Sequence, residues 1–197
     1  MNYGCISQSV YDDSKINLKN DIIENKIKEV VSTSELPIIN YDQELKYINN
    51  VIDQYATEER ERISQKYDNV LEHFMKINRN VDIQYVKYLH KICNKLISNL
   101  KMKFNVPRPF QTSFKYGYCI HPIGLISTHT PSFPSGHTAL YYLYYLYFTK
   151  IDSKNEEKYK EIYVNGANSR IIAGVHYKID NDYSIYVINK MRQVLYL

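Results

Sequence analysis

Tryptophan is absent from this 197-residue chain, and cysteine, glycine and proline are scarce, at three, six and six residues. Cys5, Cys93 and Cys119 cannot all pair, and none sits at metal-ligand spacing. A disulfide framework and a cysteine-based metal module are therefore not expected, and a reducing compartment such as the cytoplasm is the simplest setting. A membrane span needs about 20 consecutive apolar residues. The longest run, residues 139–148, has ten, and six of those are tyrosine or phenylalanine, so a soluble protein is expected. The N-terminal Met-Asn-Tyr-Gly-Cys carries no basic stretch leading into an apolar core, so no secretory leader is expected. Alternating strand patterns of useful length, internal repeats and low-complexity tracts are missing too.

What is present has globular proportions, with 44% hydrophobic and 23% charged residues. A chain of this length can bury a sizeable core without covalent staples. The apolar residues recur at helical spacing, which predicts an all-α helical bundle, read as one domain over 1–197. Residues 21–33 align Ile23, Ile27, Val30 and Val31, and a long helical pattern runs from Tyr41 to Ile77 with Glu58–Arg62 as a solvated face or break. A third helix is expected over 82–101, with Asp82 as its N-cap and Val86, Leu89, Cys93, Leu96, Ile97 and Leu100 in register. Between 107 and 134 lie five of the six prolines, and thirty residues of loop chemistry inside a domain point to function. Helices resume after Ser135 and from Glu156 to Ala173, and a short terminal one covers 181–197. The run 139–148 is apolar all round, which makes it the central helix of the bundle, with many tyrosine hydroxyls in need of partners.

Charge is uneven. Residues 1–80 carry 14 acidic and 10 basic side chains, whereas residues 81–197 carry 7 and 15, so the C-terminal part favours an anionic partner. Three clusters localise that preference: Lys101, six residues, Arg108-Pro109; Pro134-Ser135-Gly136-His137; and Ser169-Arg170, five residues, His176, three residues, Asp180. Lys101, Arg108 and Arg170 supply fixed cations, and arginine's planar fork grips two oxygens of a phosphate at once. Ser135-Gly136-His137 opens a helix, where unpaired N–H groups and the helix dipole favour an anion, and Gly136 admits close approach. On a shared helix, His176 and Asp180 fall on one face, so the carboxylate orients the ring and the other ring nitrogen becomes a nucleophile. His137 then serves as the proton donor. Each residue taken singly has an ordinary structural explanation as a cap, a surface cation or a packed histidine; no structural requirement imposes all three spacings together.

The eleven fixed positions, with 24 and 31 residues between clusters, resemble the signature of the type 2 phosphatidic acid phosphatase superfamily. That superfamily also takes in bacterial acid phosphatases and vanadium haloperoxidases. The resemblance covers residues 101–180. It implies a helical bundle of the acid phosphatase and haloperoxidase type, in which Lys101, Arg108, Ser135, Gly136 and Arg170 hold phosphate. It further implies that His176 forms a phosphohistidine, that Asp180 orients His176, and that His137 protonates the leaving oxygen and later activates water. Two departures stand out: Tyr177 replaces a tryptophan common among relatives, and Asn181, Asp182 and Tyr183 replace small residues. A second subunit completing the back wall of the pocket, as a homo-oligomer, is one way to accommodate them.

The expected activity is a metal-independent phosphatase acting on a phosphorylated small molecule or lipid, with no cofactor. The rivals are a haloperoxidase, for which vanadate would be the cofactor, and a non-catalytic phosphate binder. Nucleic acid is not an expected partner, and peripheral membrane contact stays open. Phe110, Tyr118, His121, His129 and Phe133, in the loop between the first two clusters, are the candidates for contacts to the leaving group.

Overall fold

A computed structural model describes residues 13–123 and 129–197. Its elements are α1 (Asp13–Thr33), α2 (Tyr41–Ile52), α3 (Thr57–Lys66), α4 (Val70–Ile77), α5 (Ile83–Phe104), α6 (Pro109–Thr112), α7 (Gly136–Ile151), α8 (Glu156–Ile172) and α9 (Lys178–Met191), with 3₁₀ turns at Ser113–Tyr116 and Ser153–Asn155. The described residues contain no strand, so the all-α expectation holds. Residues 1–12, with Cys5 among them, and the segment 124–128 lie outside the described residues.

The polar residues at the breaks decide where helices begin. Asn40, Asn69, Asp82 and Ser135 each precede a helix and accept a hydrogen bond from a first-turn N–H, satisfying one of its orphan donors. These caps explain the main departure from the sequence reading, because the pattern over Tyr41–Ile77 is three helices rather than one. The chain breaks at 53–56 and again at 67–69, where Asn69 starts α4. The charged block Glu58–Arg62 is therefore not the break but the body of α3, and its Arg60 is buried. Its Nε donates to Ile172 O at 2.8 Å and its Nη2 to His121 O at 2.8 Å, tying α3 to the end of α8. The proline-rich stretch likewise contains α6 and a 3₁₀ turn. The last helix begins at Lys178 and runs for 14 residues.

α7 is the central helix, as its composition predicts. It packs against α4, α5, α8 and α9 and buries Ala139, Leu140, Tyr141, Leu143, Tyr144, Leu146, Tyr147 and Phe148. Its hydroxyls find partners: Tyr141 donates to Tyr67 O at 2.9 Å, Tyr144 pairs with His90 Nδ1 at 3.0 Å, and Tyr142 donates to Asn189 Oδ1 at 3.0 Å. A second apolar cluster, comprising Leu45, Ile48, Ile52, Val106, Ile120, Phe133, Ile171 and Tyr177, lies beside the segments that bear the three motifs.

The most extensive helix packing among the described residues is α7 on α8, and Gly166 permits it. A Cβ built on Gly166 would lie 2.4 Å from ring atoms of Tyr141, whose side chain is fully buried. Only a residue without a side chain fits there. Gly166→Ala should therefore lower stability by about 1–3 kcal/mol, as overpacking does. Denaturant unfolding checks this, and an unchanged midpoint would contradict the packing.

Candidate active site

The eight motif residues come from four places that the fold brings together. Lys101 is on the last turn of α5, and Arg108 directly precedes α6. Ser135, Gly136 and His137 form the start of α7, Arg170 is near the end of α8, and His176 and Asp180 flank the start of α9. Lys101, Arg108, Ser135, Arg170, His176 and Asp180 are all buried. His137 keeps 18% of its side-chain surface and lies at the open side.

The pairing at α9 is built differently from the sequence expectation. His176 is not on the helix, because α9 starts at Lys178 with Tyr177 as its N-cap. Asp180 is the third residue of α9, and its Oδ2 accepts the Tyr177 N–H at 3.0 Å, as helix-start carboxylates do. The same oxygen takes the His176 Nδ1 contact at 2.8 Å. The four-residue spacing is thus met across a helix start rather than along a helix face. Ser132, absent from the sequence-based set, donates its Oγ–H to Asp180 Oδ2 at 2.5 Å and holds that carboxylate from a third direction.

The tautomer of His176 follows from its neighbours. Arg108 Nη1 lies 3.1 Å from Nε2, and a guanidinium only donates. Nε2 therefore carries the lone pair and Nδ1 carries the hydrogen given to Asp180. Burial holds the His176 pKa well below its usual 6.5, and the nearby cations Arg108, Lys101 and Arg170 push the same way. The ring is neutral, and its Nε2 lone pair, which accepts from Arg108 at rest, is the one a nucleophile needs. Burial raises the Asp180 pKa, opposed by the hydrogen bonds from Ser132 and Tyr177 N–H and by the Lys101 and Arg108 charges.

Lys101 and Arg108 are held largely by main-chain oxygens. Lys101 Nζ donates to Pro131 O and, at 3.2 Å, to Ser132 O. Burial and the neighbouring Arg108 lower its pKa to about 7. Arg108 donates from Nε to Thr130 O at 2.9 Å and from Nη1 to Val175 O at 2.8 Å, and burial brings its pKa down to about 10. Arg170 donates from Nη1 to Asp68 Oδ1 at 3.5 Å. Asp180 is the only buried carboxylate among the described residues, so the buried charge around His176 is positive in excess.

Ser135 caps α7 by accepting the Thr138 N–H at 3.3 Å, while Gly136 and His137, in the first turn, have no intrahelical acceptor for their N–H groups. Gly136 has no positive φ, and a Cβ there would meet only Ile97 Cγ2, at an ordinary 3.7 Å. Neither backbone conformation nor protein packing requires glycine at this position. A side chain would instead narrow the approach to the helix start, where an anion is favoured.

The wall behind the motifs is closed by the chain itself. Tyr177 is fully buried against Tyr41, with its hydroxyl 2.6 Å from Thr112 Oγ1. Asn181 receives the Thr138 hydroxyl at 2.6 Å and donates to Ala167 O at 3.0 Å.

The leaving-group candidates fare less well. Phe133 is fully buried between Phe104 and Tyr183 and serves the second core, not a pocket. Tyr118 packs on the same core and points its hydroxyl at Asp42, 3.4 Å away. His121 is exposed and its Nε2 lies 3.3 Å from Cys119 Sγ, while His129 is exposed and Phe110 is half-buried. The sequence missed Asp68, in the connection from α3 to α4. Its Oδ1 lies 3.2 Å from His137 Nε2 as well as 3.5 Å from Arg170 Nη1. A residue read as the middle of a long helix gave no signal of this; only the capping asparagine that follows it marks the break.

One buried, neutral and oriented histidine and a second, partly exposed one thus lie among buried cations beside a helix start. No curated protein matches the chain. The profile of the PAP2 superfamily, an all-α family whose members are generally phosphatases, matches residues 85–187, a span that takes in all eleven motif positions. The chain spends more than half its length in that match, and it belongs to the PAP2 superfamily.

Proposed function

We propose that the protein is a phosphatase that hydrolyses phosphate monoesters or related phosphoanhydrides through a phosphohistidine. The observation that carries this reading is the neutral His176, its lone pair directed into a site where buried cations outnumber buried carboxylates. A phosphate dianion supplies the missing negative charge, and the cations then oppose the charge that builds on its equatorial oxygens during transfer.

In this reading the phosphate oxygens take up Lys101, Arg108 and Arg170 and the N–H groups that begin α7. As Arg108 turns to the phosphate, His176 Nε2 is released to attack phosphorus. The P–N bond forms while the P–O bond to the leaving group breaks, and His137 gives that oxygen its proton. Asp180 accepts from Nδ1 throughout and stabilises the positive charge on the phosphorylated ring. Water then attacks phosphorus on the same line, giving its proton to His137, and the electrons of the P–N bond return to Nε2. Inorganic phosphate leaves and both histidines regain their starting protonation. A metal-bound hydroxide has no part in this sequence, so activity should survive a chelator.

His176→Ala should reduce turnover of p-nitrophenyl phosphate to background while leaving the circular dichroism spectrum intact; retained activity would overturn the assignment. Peroxide-dependent bromide oxidation by vanadate-loaded protein that has no ester hydrolysis would overturn it as well.

The pH profile follows from the two rings. His176 must be neutral and His137 charged in the free enzyme. Burial lowers both pKa values below the usual 6.5, that of His176 the more strongly. Activity should fall as pH drops through the His176 value and also as pH rises through the His137 value, giving a bell in kcat/KM centred on the acid side of 6.5. An optimum on the alkaline side would contradict the electrostatics. Lys101 adds a separate effect on binding. With its pKa near 7, it loses its charge as pH rises through that value, so affinity for sulfate, whose charge is constant over this range, should drop there. Calorimetric titration at pH 5.5 and 8.5 checks the sign.

A further inference from the structure

Asp68 lies outside the span matched by the superfamily profile, and none of the motifs contains it. Its side chain is 53% exposed, so burial does not hold it in place, yet one of its oxygens meets two groups of the site. Oδ1 is 3.2 Å from His137 Nε2 and 3.5 Å from Arg170 Nη1. The site therefore has two carboxylate–imidazole pairs, one with His176 on the nucleophile side and one with His137 at the open side. In the first pair the carboxylate takes one ring nitrogen and leaves the other for chemistry.

We propose that Asp68 is the positioning residue of the proton donor: its carboxylate holds His137 by Nε2–H, so that the proton on Nδ1 is the one delivered to the leaving oxygen. This rests on the phosphatase reading above. In the first half-reaction the Nδ1 proton moves to the leaving oxygen as the P–O bond breaks, and His137 becomes neutral with Nε2–H still on Asp68. In the second half-reaction the attacking water returns a proton to Nδ1. Asp68 keeps its charge throughout.

The surroundings explain why such a partner is required. Burial and then Arg170, from α8, both disfavour a charged His137. His176, Arg108 and Lys101, the neighbouring titratable and charged groups of the site, add no negative charge, while Tyr141, on α7 itself, is neutral with its pKa raised by burial. Asp180 is committed to His176, Ser132 and the Tyr177 N–H. Asp68 alone among these groups raises the affinity of His137 for its proton. Its own pKa is lowered, first by the hydrogen bond to His137, so it is ionised where the bell is centred.

The test compares Asp68→Asn with the parent on two esters that share the phosphate but differ in leaving group. An alkoxide leaving group needs the proton, whereas p-nitrophenolate leaves with little help. The variant should lose about 10²-fold in kcat on glycerol phosphate and less than about threefold on p-nitrophenyl phosphate. Its alkaline limb in kcat/KM should move to lower pH, and Asp68→Glu should recover part of the loss. Equal losses on both esters with an unmoved limb would overturn the proposal and leave Asp68 as a support for Arg170. A second readout is independent of turnover. In NMR titration, the His137 ring should lose its proton at lower pH in Asp68→Asn than in the parent. If the parent hydrolyses neither ester but this shift is seen, the phosphatase reading falls while the pairing stands; absence of the shift overturns the pairing.

Discussion

Everything at this site depends on burying more positive than negative charge. Removing a cation from water is expensive, and the cost is tolerated where hydrogen bonds and partners offset it. Here the offset is incomplete by construction. Main-chain oxygens of Thr130, Pro131, Ser132 and Val175 solvate Lys101 and Arg108, yet Asp180 is the single buried carboxylate among the described residues. The lowered pKa values of Lys101, Arg108 and Arg170 all have burial as their first cause. The bundle around them supplies the stability that such a site lacks. The α7 helix buries most of a tyrosine-rich surface, while its first turn, which belongs to the site, leaves N–H groups unpaired.

The same economy appears at the two helix starts. Asp180 caps α9 and orients His176 with one oxygen, so a single carboxylate fixes both a backbone turn and a side-chain tautomer. Ser135 caps α7, and its amide donates to Asp180 O at 3.3 Å, joining the two helix starts directly. Ser184 reinforces this junction by donating to Ser135 O at 2.8 Å. A change in either cap therefore moves both the anion-facing N–H groups and the imidazole, a coupling that the linear motifs do not display.

The sequence made the residues that the fold gathers more legible than the helix boundaries. Motif spacing identified the eight residues the fold gathers, because cations, a glycine at a helix start and two histidines form a combination that folding alone does not require. Periodicity likewise located α1, α5, α7 and α8 and the apolar face of α5. It failed over Tyr41–Ile77, where the apolar residues keep helical spacing across two short breaks and only Asn69 announces the second. Asp68 and Ser132 stayed hidden for the same reason: each acts through a contact far along the chain, 69 residues from His137 for Asp68 and 48 from Asp180 for Ser132. Phe133, Tyr118 and His121 lie close to the motifs in sequence, but they pack or hydrogen-bond away from the site. Loop proximity carried no information about direction.

The contact of Arg108 with Nε2 of His176 makes the resting ring a latched one. The guanidinium that would recognise the incoming anion is also the bolt across the lone pair, so recognition and arming are a single movement. A neutral electrophile offers nothing to draw the bolt and meets a ring already engaged. In the proposed reaction, selectivity for charged substrates would in this way be set before any bond is made, by one side chain that cannot serve both partners at once.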